Sequence, residues 1–183
     1  MQLYNRALNI VSAAVAIASI AAASPKTTFA QAAAPKLDDP TIVAIFDAAN
    51  TYDIETGSIA VTRGHSKAVR DFAAMIVRDH RNVRTQGRSL AASLKVTPTP
   101  PRDFALAKAH RAAMASLRKA HGKNFDRVFL QQEVDFHNAV IDAVTTTLLP
   151  AIQNAQLKDL VTKVAPAFVA HRDRAQSLLN AIK

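Results

Sequence analysis

The sequence predicts an all-α protein, built as a four-helix bundle with ferritin-like connectivity and a short crossover helix. About half of the 183 residues are hydrophobic, and the chain has only four glycines and no tryptophan. Apolar residues recur at helical spacing through four long segments, and no segment of useful length alternates as a β-strand would. Two short connections and one long one favour two antiparallel helix pairs joined by a crossover.

Start and stop signals delimit the predicted helices, which we call A to D. Helix A starts with Asp39 as the N-cap and a proline after it, and it ends at Gly64. Helix D contains Pro166, which should kink it by removing one backbone hydrogen bond. The remaining predicted boundaries are Ser66 to about Lys95 for helix B, Asp103 to about Ala120 for the crossover, Asn124 to Leu149 for helix C, and Ala155 to the chain end for helix D.

The first 32 residues are interpreted as a cleaved signal peptide. Arg6 gives a positive start, residues 7–23 form an apolar stretch, and Ala30-Gln31-Ala32 is a small-x-small cleavage site, with cleavage after Ala30 as an alternative. A retained membrane anchor is the other interpretation, but the stretch is mostly alanine and shorter than the roughly 20 residues that span a bilayer. We therefore expect a periplasmic or secreted protein whose mature chain has no transmembrane segment.

The mature chain is predicted to have a flexible lead-in at residues 33–39 and a single four-helix-bundle domain at 40–183. The chain contains no cysteine, which excludes a lipid-anchored lipoprotein, disulfides and thiolate metal ligands. Positive charge is concentrated in residues 65–122, which hold twelve Lys or Arg against three acids. This stretch is either a solvated helix face or a surface for the anionic cell envelope. Because few aromatic residues are interleaved with these cations for base stacking, we do not expect a nucleic-acid partner.

Four polar side chains fall on the apolar stripes of predicted helices B, C and D. At 100° per residue, His80, Glu133, His137 and His171 all point towards the core, and each lies near the middle of its helix. Glu55 on helix A is the weakest candidate, because it lies at the rim of its stripe and roughly 7 to 8 Å nearer the A–B turn than His80. Buried charged groups are costly unless they are paired, so the set predicts a partner.

A single metal ion at mid-bundle is the partner that these ligand types favour. Imidazole and carboxylate ligands suit zinc, iron, manganese or copper. The alternative is a satisfied buried polar network that only fixes the helix register. The corresponding functions are metal storage, buffering or envelope stress tolerance, or a non-metal structural or interaction role that uses the basic face. An enzyme with an open metal position is a third possibility, and no catalytic residue is assigned.

Several short motifs are similar to those of one bacterial family. They are, in chain order, Glu55 with Gly57 and Ala60, Phe72-Ala73-Ala74-Met75 with Asp79-His80, Asn124-Phe125-Asp126, His137, and Pro166 followed by His171. This order resembles the family called domain of unknown function 4142. The resemblance implies a secreted or periplasmic ferritin-like helical protein, of the kind often labelled a putative outer membrane protein, and it implies no activity.

The ferritin-like resemblance also bears on the number of metals. Di-iron bundles bridge two metals with a glutamate placed three residues before a histidine on helices B and D. In this sequence the residue three positions before His80 is Val77, and the one three positions before His171 is Phe168. Both bridging carboxylates are therefore missing. We therefore expect no ferroxidase or oxygenase centre, and at most a mononuclear site.

Overall fold

The computed structural model describes residues 37–101 and 104–182, in which the regular structure is helical throughout. The predicted signal peptide and most of the predicted lead-in lie outside the described residues. The elements are α1 (Asp39–Arg63), α2 (Lys67–Ser93), α3 (Ala105–Lys119), α4 (Gly122–Ala143), a π-helical turn (Val144–Leu148), α5 (Leu149–Ala151) and α6 (Ala155–Ala181). Helices α1, α2, α4 and α6 are the predicted helices A to D, and α3 is the predicted crossover. The predicted all-α bundle is confirmed.

Hydrogen bonds from two aspartates near helix starts show which long helices run in the same direction. Asp126, near the start of α4, accepts hydrogen bonds from the backbone N–H groups of His65 and Ser66 just before α2, at 2.7 and 2.8 Å. Asp39, at the start of α1, does the same for residues 153 and 154 before α6, at 3.0 and 2.9 Å. Hence α2 and α4 run in one direction and α1 and α6 in the other, which is the connectivity that a long crossover requires.

Two helix ends differ from the prediction, one in its capping residue and the other in its position. Asp38, rather than Asp39, caps α1 by accepting from the backbone N–H of Thr41 at 3.1 Å, because Asp39 is engaged with the start of α6. The helical segment that begins with α4, the predicted helix C, does not stop before Pro150. It continues through the π-helical turn, and the proline occupies an early position of α5, where its missing N–H is not needed.

A polar layer divides the core into two apolar clusters. The first cluster lies towards the start of α1 and includes Ile42, Phe46 and Phe168. The second lies towards the start of α4 and includes Phe125 and Phe129. Of the described helices, none is both long enough and apolar enough to cross a membrane.

Candidate metal centre

Three histidines from three helices meet between the two apolar clusters. His80 of α2, His137 of α4 and His171 of α6 are all buried, and one ring nitrogen from each lies within 4.8 Å of the others. Each stands on the apolar stripe of its helix, so packing the stripes against one another turns the imidazoles towards a common point. The His80 ring also stacks on the Phe168 ring, with centroids 6.0 Å apart, so the first cluster contacts the imidazoles through this aromatic ring.

Two buried carboxyl groups lie on the other side of His137. Asp53 of α1 and Glu133 of α4 are each 2% exposed and form a second ligand group with His137. Asp53 Oδ2 lies 3.2 Å from His80 Nε2 and 3.9 Å from His137 Nε2, and so links the two groups. In a tetrahedral site with ligand bonds of 2.0–2.1 Å, neighbouring ligand atoms are about 3.3 Å apart. The observed spacings are therefore close to those that one metal ion requires.

Hydrogen bonds hold the outer nitrogen of each imidazole. His137 Nδ1 donates to the carbonyl oxygen of Glu133 at 2.9 Å, and His171 Nε2 donates to Asp79 Oδ2 at 3.3 Å. His80 Nδ1 lies 3.0 Å from Asn50 Oδ1, which must accept because the Asn50 amide nitrogen donates to the backbone at Phe46. All three tautomers are fixed in this way, and each inner nitrogen keeps its lone pair, the arrangement found around metal-bound histidines.

The inner atoms of these residues are buried without a hydrogen-bond partner. Within the described part of the chain, this holds for Asp53 Oδ2, His80 Nε2, Glu133 Oε2, His137 Nε2 and His171 Nδ1. Buried polar atoms are nearly always hydrogen-bonded, because an unsatisfied one costs about 1–3 kcal/mol. When the two carboxyl groups are ionised, all five atoms are acceptors, and a bound cation then satisfies them better than a closed network of side chains can.

Burial favours the uncharged forms of the polar-layer residues when no cation is present. It lowers the pKa of His137 to about 3, with His171 adding to the shift, and it lowers the pKa of His80 well below its usual value. Burial also raises the pKa of Glu133 to about 8, and burial with the neighbouring Glu133 raises the pKa of Asp53 well above its usual value. Burial therefore favours the neutral imidazoles that bind a metal, whereas Glu133, with a pKa of about 8, must first release a proton at neutral pH.

The structure does not bring Glu55 into this layer, contrary to the expected ligand set. Its side chain is 49% exposed, and Oε2 lies 2.7 Å from His110 Nε2 of the crossover. His110 is only 11% exposed and stacks on the Tyr52 ring at a centroid distance of 4.1 Å. Glu55 lies outside the polar layer because α1 presents a different face to the core.

The inner face of α1 carries the residues that the sequence interpretation missed. Asn50, Asp53 and Thr56 are buried there, and Thr56 lies 3.5 Å from Glu133 Oε1. Gly57 was the available signal for this face. A Cβ atom at Gly57 would lie 2.9 Å from a methyl group of Val77, so the glycine marks where α1 and α2 approach closely.

Comparison with known proteins places the chain in a family. Residues 24–178 match the family described as domain of unknown function DUF4142. The chain belongs to this family. No protein of curated function matches it. The predicted family is therefore confirmed. The residues of the polar layer lie within the matched region of this DUF4142 protein.

Two solved structures share the fold of this DUF4142 protein. One is a DUF305 fragment from Deinococcus radiodurans, with a TM-score of 0.69 and 16% identity over 81% of this chain and 97% of that chain. The other is CopM in the Cu(II)-bound form, with a TM-score of 0.63 and 14% identity over 80% of this chain and 99% of that chain. At these identities the likeness concerns the helical fold.

The basic segment 65–122 is only partly available to an external partner. Arg84 and Arg88 both bind the carboxylate of Asp47, and Arg70 donates to backbone carbonyls at the α1–α2 turn. Arg81 is among the exposed cations of this segment. Binding to an anionic envelope surface through this segment stays a prediction.

Proposed function

We propose that the protein binds one divalent transition-metal ion in the middle of the bundle, in the periplasm or outside the cell. His80, His137, His171 and Asp53 are the proposed ligands, and Glu133 is the proposed fifth ligand beside them, through a carboxylate oxygen. The observation that carries the proposal is the convergence of buried, unpartnered acceptor atoms from all four long helices. Storage or buffering is the role we favour, because burial of the ligands leaves little room for a substrate.

Copper(II) is the first ion to test. Among divalent first-row ions, sites of nitrogen and oxygen ligands bind copper(II) most tightly. The CopM structure, with copper(II) bound on the same fold, supports this choice. Zinc(II) is the second ion, because three imidazoles and one carboxylate also suit a tetrahedral zinc site.

The test is metal analysis of the full chain purified without a chelator or an affinity tag, followed by copper(II) titration. We expect about one ion per chain, with loss of that ion in the double variant His80→Ala/His171→Ala. The matched control is His65→Ala/His121→Ala, which removes two exposed histidines and should bind as the unmodified chain does. Trace metal that is the same in all three proteins would overturn the proposal.

A further inference from the structure

A small cavity extends from the polar layer towards one face of the bundle. It lies between α1, α3 and α4, has a volume of about 10 Å³, and is lined in part by Asp53 and Glu133 at the core and by Tyr52 and His110 near the surface. This volume is enough for about one water molecule. The cavity therefore joins the two buried carboxyl groups to the crossover helix.

His110 lines the outer end of this cavity and is paired there with Glu55, so that two metal-ligating atoms lie close together. His110 Nε2 and Glu55 Oε2 lie 2.7 Å apart, with the imidazole nearly buried and the carboxylate half exposed. The Tyr52 ring holds the imidazole from one side, with ring planes only 8° apart. The carboxylate meets solvent first, and the imidazole stands between it and the cavity.

The helix that covers this face is held by small side chains. The buried face of α3 consists of Ala109, Ala113 and Leu117, and only Leu117 of these belongs to the second apolar cluster. Gln132 of α4 adds one hydrogen bond, from Nε2 to the carbonyl oxygen of Ala113 at 3.1 Å. Alanine contacts bury little area, so opening this part of α3 requires less free energy than parting two long helices.

The opposite face is less suited to admit a cation. There Asp79 binds His171 on one side and the guanidinium of Arg78 on the other, at 3.3 and 2.9 Å. Arg172 is a further cation that acts on the buried imidazoles from this side. On the α3 face Arg111 is near Tyr52, but the Glu55 carboxylate there faces an imidazole rather than an arginine.

We infer that Glu55 and His110 form an outer capture site for the divalent cation, which then passes beneath α3 to Asp53 and Glu133. This inference rests on the proposed function, since it concerns how the same ion reaches the core. The capture site holds the ion only transiently, because it supplies two protein ligands where the core supplies at least four. It therefore governs the rate of loading rather than the final affinity.

The experiment measures copper(II) uptake by the metal-free full chain in a stopped-flow instrument, from the visible absorption of the bound ion. Final affinity is measured separately by competition with a chromophoric chelator. For Glu55→Gln/His110→Gln we expect uptake to be about tenfold slower, as for loss of local electrostatic attraction, with unchanged affinity. The control Asp71→Asn/His65→Gln also removes one carboxylate and one imidazole, but from exposed positions away from the cavity. This control should load at the original rate.

A second variant tests the path beneath α3. Gln132→Ala removes the hydrogen bond to Ala113 and enlarges the gap, so we expect faster uptake and also faster release to the chelator. Equal uptake rates in the capture variant and the unmodified chain, or equal slowing in its control, would overturn the capture site. Unchanged or slower exchange in Gln132→Ala would overturn the path. Failure of the unmodified chain to bind copper(II) would instead overturn the proposed function.

Discussion

The apolar clusters and the polar layer between them affect the bundle in opposite ways. The clusters bury large side chains such as Phe125 and Phe129, and this burial stabilises the fold whether or not a ligand is present. The polar layer buries three imidazoles and two carboxyl groups, and it costs free energy until protons or a cation satisfy them. The difference indicates that the clusters hold the fold together, and it supports the proposal that the polar layer is present to bind an ion.

The largest expected effect comes from the second apolar cluster. Phe129→Ala should lower the free energy of unfolding by about 3–5 kcal/mol, because it removes a fully buried ring and leaves a cavity. The loss should be the same in metal-free and copper-saturated protein, measured by urea denaturation. Phe129→Leu is the control and should lose less. A loss that disappears on metal saturation would contradict the separation of the cluster from the site.

The next effect separates two neighbouring acids of α1. Asp53→Asn should weaken copper(II) binding at least about a hundredfold, or about 2.7 kcal/mol, because it replaces a ligand oxygen of the polar layer. Glu55→Gln should leave the affinity unchanged, because that carboxylate lies at the surface against His110. Chelator competition measures both affinities. Equal weakening of copper(II) binding in the two variants would contradict the assignment of Asp53, rather than Glu55, as the ligand from α1.

These two acids also show how far the sequence predicts the site. On α2, α4 and α6 the polar residues interrupt clear apolar stripes, so His80, Glu133, His137 and His171 could be recognised as inward-facing. On α1, apolar residues such as Ile54 and Ile59 lie outside the buried face, while Asp53 lies on it. Hydrophobicity therefore does not mark the inner side of α1. Only the close approach at Gly57 identifies that side, and it becomes visible once α2 is in place.

A third effect is the pH dependence of the metal-free protein. The pKa of Glu133 is raised from 4.5 to about 8, so the folded chain keeps a proton that the unfolded chain loses between these values. The free energy of unfolding therefore falls as pH rises through this window. The pKa of His137 is lowered from 6.5 to about 3, which makes stability rise with pH, but only up to about 6.5.

Above about pH 6.5 the histidine contribution no longer changes with pH, so the buried carboxyl groups alone determine how the free energy of unfolding depends on pH. We expect the metal-free protein to lose about 2 kcal/mol between pH 6.5 and 8, at up to about 1.4 kcal/mol per pH unit for the Glu133 proton. Urea denaturation at three pH values measures this loss. Glu133→Gln, which cannot titrate, should reduce the slope. Copper(II) affinity should rise over the same range, because the metal competes with the protons. A flat or rising metal-free profile would contradict the assignment of buried, protonated carboxyls.

The smallest effect compares two histidines in the absence of metal. His171→Leu should raise the free energy of unfolding by about 1 kcal/mol, because it removes a buried, unpartnered Nδ1 while Asp79 keeps Arg78 and solvent as partners. His80→Leu should instead lower it by about 1 kcal/mol, because Asn50 Oδ1 would stay buried without its donor. Both variants should lose stabilisation by copper(II). Equal destabilisation by both would mean that the layer stabilises the metal-free fold as a hydrogen-bonded network, and that metal binding is not the reason for its presence.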